Sequence, residues 1–163
     1  MRFKFLSLFA ALMLVSACQS APETTATTTT GGTTTAAPAT PTGPVPGSAE
    51  DFVANVGDRV FFGFDRFDLT PEATATLDRQ AAWLKQYPNV TVTVEGHADE
   101  RGTREYNLAL GERRATAVKN YLTALGVDTA RVQTISYGKE RPAVLGSDES
   151  AWAQNRRGVT VIN

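Results

Sequence analysis

The chain has 163 residues, a formal net charge of −1, one cysteine and one histidine. Sixteen basic and 17 acidic side chains with no basic stripe interleaved with aromatics exclude the electrostatic footprint of phosphate binding, and with it a nucleic-acid partner. A lone cysteine cannot build a disulfide framework, and a lone histidine leaves no metal-ligand set, so no metal or other cofactor is expected.

Residues 1–17 read as an export signal. Arg2 and Lys4 give a basic start, Phe5 to Val15 is an apolar run too short to span a bilayer, and Ser16 and Ala17 are small. Val15-Ser16-Ala17-Cys18 has the form of a bacterial lipobox, so Cys18 is the expected lipidation site. One acyl chain binds a membrane only marginally, whereas several make the anchor stable. Residues 18–47 are rich in Thr, Ala and Pro, carry only Glu23 as charge and cannot bury a core. They read as a disordered tether that spans roughly 30 Å as a coil and up to about 100 Å when stretched.

Residues 48–163 form one expected domain, large enough for a single core without disulfides. From Ser48 onward there are 14 basic and 16 acidic side chains, a net charge near −2. Ala49 to Asn55 reads as a short helix and Arg59 to Asp65 as a first strand. Thr70-Pro71-Glu72 starts a helix that runs to Tyr87, with an apolar stripe at Ala73, Leu77, Ala81 and Leu84. Val90, Val92 and Val94 alternate with polar residues as a second strand. A longer helix runs from about Arg104 to Leu125, with Leu108, Ala115, Val118, Leu122 and Leu125 toward the core and Gly126 as its C-cap. A third strand covers Val132 to Tyr137, a helical turn fits Glu149 to Ala153, and Gly158 to Ile162 is the last strand. The fold class is α+β. A β-α-β-α-β-β order makes a two-layer sandwich, with a four-stranded mixed sheet and helices on one face.

Binding sites of open α/β sheets gather at the carboxyl ends of strands, where Asp65 and Asp99 are expected. Asn107 and Arg114 are seven residues apart, nearly two helical turns, and share a stripe. Arg presents a rigid fork to a carboxylate, and Asp accepts from an ammonium. Together they suit a ligand with a free amino-acid centre. The alternative is that Asp99 and Arg114 pair with each other in a satisfied network. His97 is expected to hold its loop through ring hydrogen bonds. Arg156 and Arg157 are candidates for the rim of the site. Trp83 and Trp152 read as packing residues rather than stacking platforms. A wall hydrolase using Glu95, Asp99 or Glu100 as general acid is a competing reading, but the sequence shows no second carboxylate fixed across a cleft.

Several stretches resemble the OmpA-like domain family, over about residues 50 to 163. They are Phe62-Gly63-Phe64-Asp65 before Asp68-Leu69-Thr70-Pro71, Gly96-His97-Ala98-Asp99-Glu100-Arg101-Gly102-Thr103, and Glu105-Tyr106-Asn107. Gly111-Glu112-Arg113-Arg114-Ala115, Ser136-Tyr137-Gly138-Lys139-Glu140-Arg141-Pro142 and Asn155-Arg156-Arg157 complete the pattern. The resemblance implies a non-enzymatic protein that binds peptidoglycan through the diaminopimelate of the stem peptide. Asp99 and Arg114 would hold the amino-acid centre, Asn107 would support them, and Asp65 and Leu110 would complete the site. For lipid-anchored members it implies the propeller protein TolB and the Tol system as partners. Gln19 after the cysteine, where Asp favours inner-membrane retention, implies an outer-membrane anchor with the domain in the periplasm. Gly111 stands where the wider family often has Ser, and Gly158 where Ala is expected.

Overall fold

The computed structural model describes residues 43–163. The leader, Cys18 and the tether up to residue 42 lie outside the described residues. Helix α1 (Ala49–Asp51) starts at Ser48, whose hydroxyl accepts from the Asp51 N–H, and it continues as a π-helical turn, Phe52–Val56. Strand β1 (Arg59–Phe61) leads to helix α2 (Pro71–Gln86), capped by Thr70 with Pro at its start as the sequence predicts. Strand β2 (Val92–His97) and helix α3 (Arg104–Ala124) follow, and Thr103 caps α3 by accepting from the Tyr106 N–H. Strand β3 (Val132–Gly138), helix α4 (Glu149–Asn155) and strand β4 (Arg157–Ile162) complete the domain. The helical turn expected near Glu149 is thus a full helix, capped by Asp148.

The sheet order is β1-β4-β2-β3. Strand β4 runs antiparallel to both neighbours, with Val159 opposite Arg59 on one side and Glu95 on the other. Strands β2 and β3 are parallel, in register from Val92 opposite Val132 to Gly96 opposite Ser136, and shift by one residue at His97. The sheet is therefore mixed, as expected. Helices α2 and α3 cover one face. Leu77, Ala81 and Leu84 of α2 and Ala115, Val118 and Leu122 of α3 bury against Val60, Val92, Val94 and Val132. Leu125 packs half-buried against that core, as expected, whereas Leu108 is half-buried outside it. Gln80 and Thr160, polar residues buried beneath α2, satisfy each other. The Thr160 hydroxyl donates to Gln80 Oε1 at 2.9 Å, and Gln80 Nε2 donates to the Gly57 carbonyl at 2.7 Å. Phe61, Ile135 and Val161 lie exposed on the strands. Among the described residues no helix is long and apolar enough to cross a membrane.

One element departs from its expected length. The first strand ends at Phe61 instead of reaching Asp65. The reason lies in its carbonyls, which are taken by guanidinium groups rather than by a neighbouring strand. The Phe62 carbonyl accepts from Arg156 Nε, and those of Gly63 and Arg66 accept from Arg114. The chain turns there, with the Arg66 N–H donating to the Gly63 carbonyl and Asp65 at a φ of 55°.

Candidate functional site

A cleft of about 200 Å³ opens where the β1–α2 loop, the β2–α3 loop and the first turns of α3 meet. Asp65, Asp99, Asn107, Leu110 and Arg114 all line it, so the structure brings the five predicted residues together. Phe64, Arg101, Gly102 and Tyr106 complete the lining.

Asp99 lies two residues past the end of β2. Gly102, at a φ of 89°, then lets the loop turn tightly into the cap of α3. The loop is braced from outside by Lys139, whose Nζ donates to the carbonyls of Glu100 and Gly102 at 3.1 and 2.7 Å. From inside, Asn107 Nδ2 donates to the carbonyls of Arg101 and Thr103 at 2.8 and 3.1 Å. Asn107 is thereby a loop staple as well as a lining residue. Tyr106 donates its hydroxyl to Asp65, which joins the two loops across the mouth.

Asp99 is only 5% exposed and does not pair with Arg114. Its Oδ1 accepts from the Arg101 backbone N–H at 3.2 Å and from Arg101 Nε at 3.3 Å. Its Oδ2 accepts from Arg101 Nη2 at 2.6 Å and from Arg156 Nη1 at 3.3 Å. Burial opposes ionisation of Asp99, but these bonds outweigh it and hold the carboxyl below the usual range. Arg114 is 0% exposed and donates to three backbone carbonyls: Nε to Arg66 at 2.8 Å, Nη1 to His97 at 2.7 Å and Nη2 to Gly63 at 3.0 Å. Burial lowers its guanidinium to about 10, which leaves it charged at neutral pH. Among the described residues three of its five N–H groups are committed and two are not.

Four expectations are corrected here. Arg156 is not a rim residue but a buried strut behind Asp99, also bound to Glu149 at 2.5 Å and to the Phe62 carbonyl. Arg157 is not at the rim either; its donors go to the carbonyls of Asn155 and Arg141. Trp152 is a stacking platform. Its ring lies 4.0 Å from the Arg101 guanidinium, and its Nε1 donates to Glu100. Trp83 does pack in the core, edge-on to Phe52. His97 does not hold its loop through its ring. Among the described residues neither buried ring nitrogen has a hydrogen-bond partner, and Nε2 lies 3.4 Å from Glu95. Burial, then the charges of Arg157 and Arg141, push it down to about 4. Sequence reasoning missed Arg101, which touches Asp99 through three donors. Its signal was the spacing, since an Asp accepts readily from the backbone N–H two residues on and so brings the side chain at that position over its carboxylate.

The OmpA family pattern matches residues 61–156. A peptidoglycan-associated lipoprotein of Rhizobium meliloti (strain 1021) is 61% identical over 117 residues, which are 72% of this chain and 66% of that protein. The peptidoglycan-associated lipoprotein of Haemophilus influenzae (strain ATCC 51907 / DSM 11121 / KW20 / Rd) is 52% identical over 120 residues, covering 69% of this chain and 78% of that one. Among solved structures, the crystal structure of the peptidoglycan-associated lipoprotein from Burkholderia pseudomallei aligns with a TM-score of 0.64 at 45% identity, over 65% of this chain and 90% of that chain. The C-terminal domain of Helicobacter pylori MotB aligns with a TM-score of 0.61 at 20% identity, over 65% of this chain and 84% of that one, a likeness of fold alone. The signature loop, the sheet order and these matches lead to one conclusion: the chain belongs to the OmpA family.

Proposed function

We propose that this protein is an outer-membrane lipoprotein whose domain binds peptidoglycan non-covalently through the diaminopimelate of the stem peptide. In this reading residues 1–17 are removed, Cys18 is acylated, residues 18–47 are the tether and residues 48–163 the wall-binding domain in the periplasm. The observation that carries it is the cleft, which has an anionic acceptor, Asp99, and a guanidinium, Arg114, on one small lining. Those are the two groups that an amino-acid centre needs. The names of the relatives agree with a wall-bound lipoprotein. The partnership with TolB and the Tol system rests on the resemblance, and a pull-down with TolB tests it.

Binding fits the cleft better than hydrolysis. A general acid needs a raised pKa, whereas the Asp99 carboxyl is held low by Arg101 and Arg156. Glu100 accepts from Trp152, and Glu95 is on β2 rather than in the cleft lining.

The test is co-sedimentation of the full chain with purified sacculi, with and without excess meso-diaminopimelate, alongside Asp99→Asn. Sedimentation that free diaminopimelate competes away and that Asp99→Asn loses is the expected result. A folded chain that stays in the supernatant sinks the wall-anchor reading and makes a protein partner the first ligand to seek.

A further inference from the structure

The cleft is already occupied by a cation of its own. An ionised carboxylate offers about four acceptor positions, and among the described residues four donors reach Asp99. An incoming ammonium therefore has no acceptor position left on Asp99 until one donor leaves. The backbone N–H of Arg101 is fixed by the loop, and Arg156 is buried and held by Phe62 and Glu149. The Arg101 side chain is the donor that is free to go, since it is 31% exposed and lies at the cleft. It also has somewhere to go. Its Nη1 already stands 3.9 Å from Glu149, and its guanidinium lies over the rings of both Phe64 and Trp152, 4.0 Å from each centroid. A guanidinium that shifts within its own plane stays over the rings it stacks on. The other half of the site agrees. Asp99 and Arg114 line the cleft but expose almost no surface, so a ligand that must touch both needs a side chain to move first.

We propose that Arg101 is the specificity-determining residue of this cleft, an internal stand-in for the ligand's ammonium that must slide from Asp99 toward Glu149 before a ligand enters. The inference rests on the reading that Asp99 accepts a ligand ammonium. It names the selectivity that follows. A bare amine merely exchanges one cation for another on Asp99 and gains little. A ligand that carries a carboxylate beside its ammonium gains the two uncommitted N–H groups of Arg114 as well, and so displaces Arg101. The cleft thus rejects polyamines and lysine-like side chains and admits a complete amino-acid centre.

The experiment titrates the full chain by calorimetry with two probes, meso-diaminopimelate and cadaverine, the latter having the amines without the carboxylates. Arg101→Met keeps the length of the side chain and removes the cation. It is expected to bind meso-diaminopimelate about fivefold tighter, the loss of one partly exposed ion pair as competitor, and to gain measurable cadaverine binding. Arg101→Lys retains a competing cation and is expected to stay near the wild type for both probes. A merely structural role for Arg101 would not give that rescue. Glu149→Gln removes the receiving charge and is expected to weaken meso-diaminopimelate binding, so an unfolded Arg101→Met, seen by circular dichroism, leaves a second measurement of opposite sign. Arg101→Met that binds meso-diaminopimelate equally or more weakly than a wild type that does bind overturns the role of Arg101 alone. A wild type that binds neither probe nor sacculi overturns the reading of the cleft, and this inference with it.

Discussion

Arg114 combines two jobs that the sequence does not separate. Its guanidinium ties the carbonyls of Gly63 and Arg66 in the β1–α2 loop to that of His97 at the end of β2, and it does so from α3. A residue that only faced a ligand would tolerate truncation with the fold nearly intact. Arg114 is not such a residue. Arg114→Ala leaves three buried carbonyls short of a donor and a cavity the size of the side chain, and a loss of about 3–5 kcal/mol is expected. A urea midpoint equal to the wild type's would refute this. Asp99→Asn, which preserves shape, is the cleaner probe of binding. His97 gives a pH prediction. Its folded pKa, about 4, is below the 6.5 of an unperturbed imidazole, so the unfolded chain takes up the proton first. Its contribution is complete above pH 6.5 and falls away as the pH drops toward 4, by up to about 3 kcal/mol. The charges of Arg157 and Arg141 are already part of that lowering of the pKa. Asp99, whose folded pKa is lowered, adds its own loss only below its ordinary 3.8, so the two windows separate. Urea midpoints measured between pH 7 and 4 should fall more steeply with acid in the wild type than in His97→Gln. Parallel curves would remove His97 as the cause.

At the scale of elements, the contact between α3 and the β2–β3 pair depends on two glycines. A Cβ on Gly96 would stand 1.8 Å from the Gly111 carbonyl oxygen, and one on Gly111 would stand 2.3 Å from the Ser136 hydroxyl oxygen. The helix backbone lies directly on the strand, and Ser136 Oγ fills the gap by donating to the Leu108 carbonyl at 2.7 Å. In this chain a residue larger than Gly111 would push α3 away from the sheet and disturb the cleft that its first turns line. Gly96→Ala is expected to cost several kcal/mol, about the scale of an overpacked core or more, and to weaken wall binding with it. Gly158 is the opposite case. A Cβ there would meet Phe62, Val118 and Val60 at 3.4 to 3.5 Å, ordinary contact, and the backbone needs no positive φ. Gly158→Ala is expected to stabilise by about 0.5–1 kcal/mol through the unfolded chain. Thermal melts of the two variants should therefore move in opposite directions, and a matching sign would refute the packing argument. The sequence already shows both glycines; it does not show which of them faces a backbone.

For the whole molecule, the parts legible in the sequence are those written in local patterns. The caps at Thr70 and Thr103, the alternation through Val92 and Val94, the long helix ending before Gly126 and the seven-residue spacing of Asn107 and Arg114 all reappear. What stayed hidden depends on residues far apart in the chain. Strand β1 stops early because Arg114 and Arg156, about 50 and 95 positions further on, take its carbonyls. Asp99 pairs with Arg101 and Arg156 rather than Arg114 because the fold inserts Arg156 from the start of β4. The same long-range wiring makes the cleft a joint between β1, β2, α3, α4 and β4, so occupying it should stiffen the whole domain rather than one loop. A ligand bound only by the folded state stabilises it by RT ln(1 + [L]/Kd), about 2.7 kcal/mol at one hundred times Kd. For a domain of this size that corresponds to a rise in Tm on the order of 10 °C. Melting the full chain with increasing meso-diaminopimelate should shift one cooperative transition by that amount, and Asp99→Asn should abolish the shift. A ligand that protects the wild type and Asp99→Asn alike would act outside this cleft, because a site closed by Asp99, Arg101 and Arg156 cannot transmit binding without the Asp99 charge.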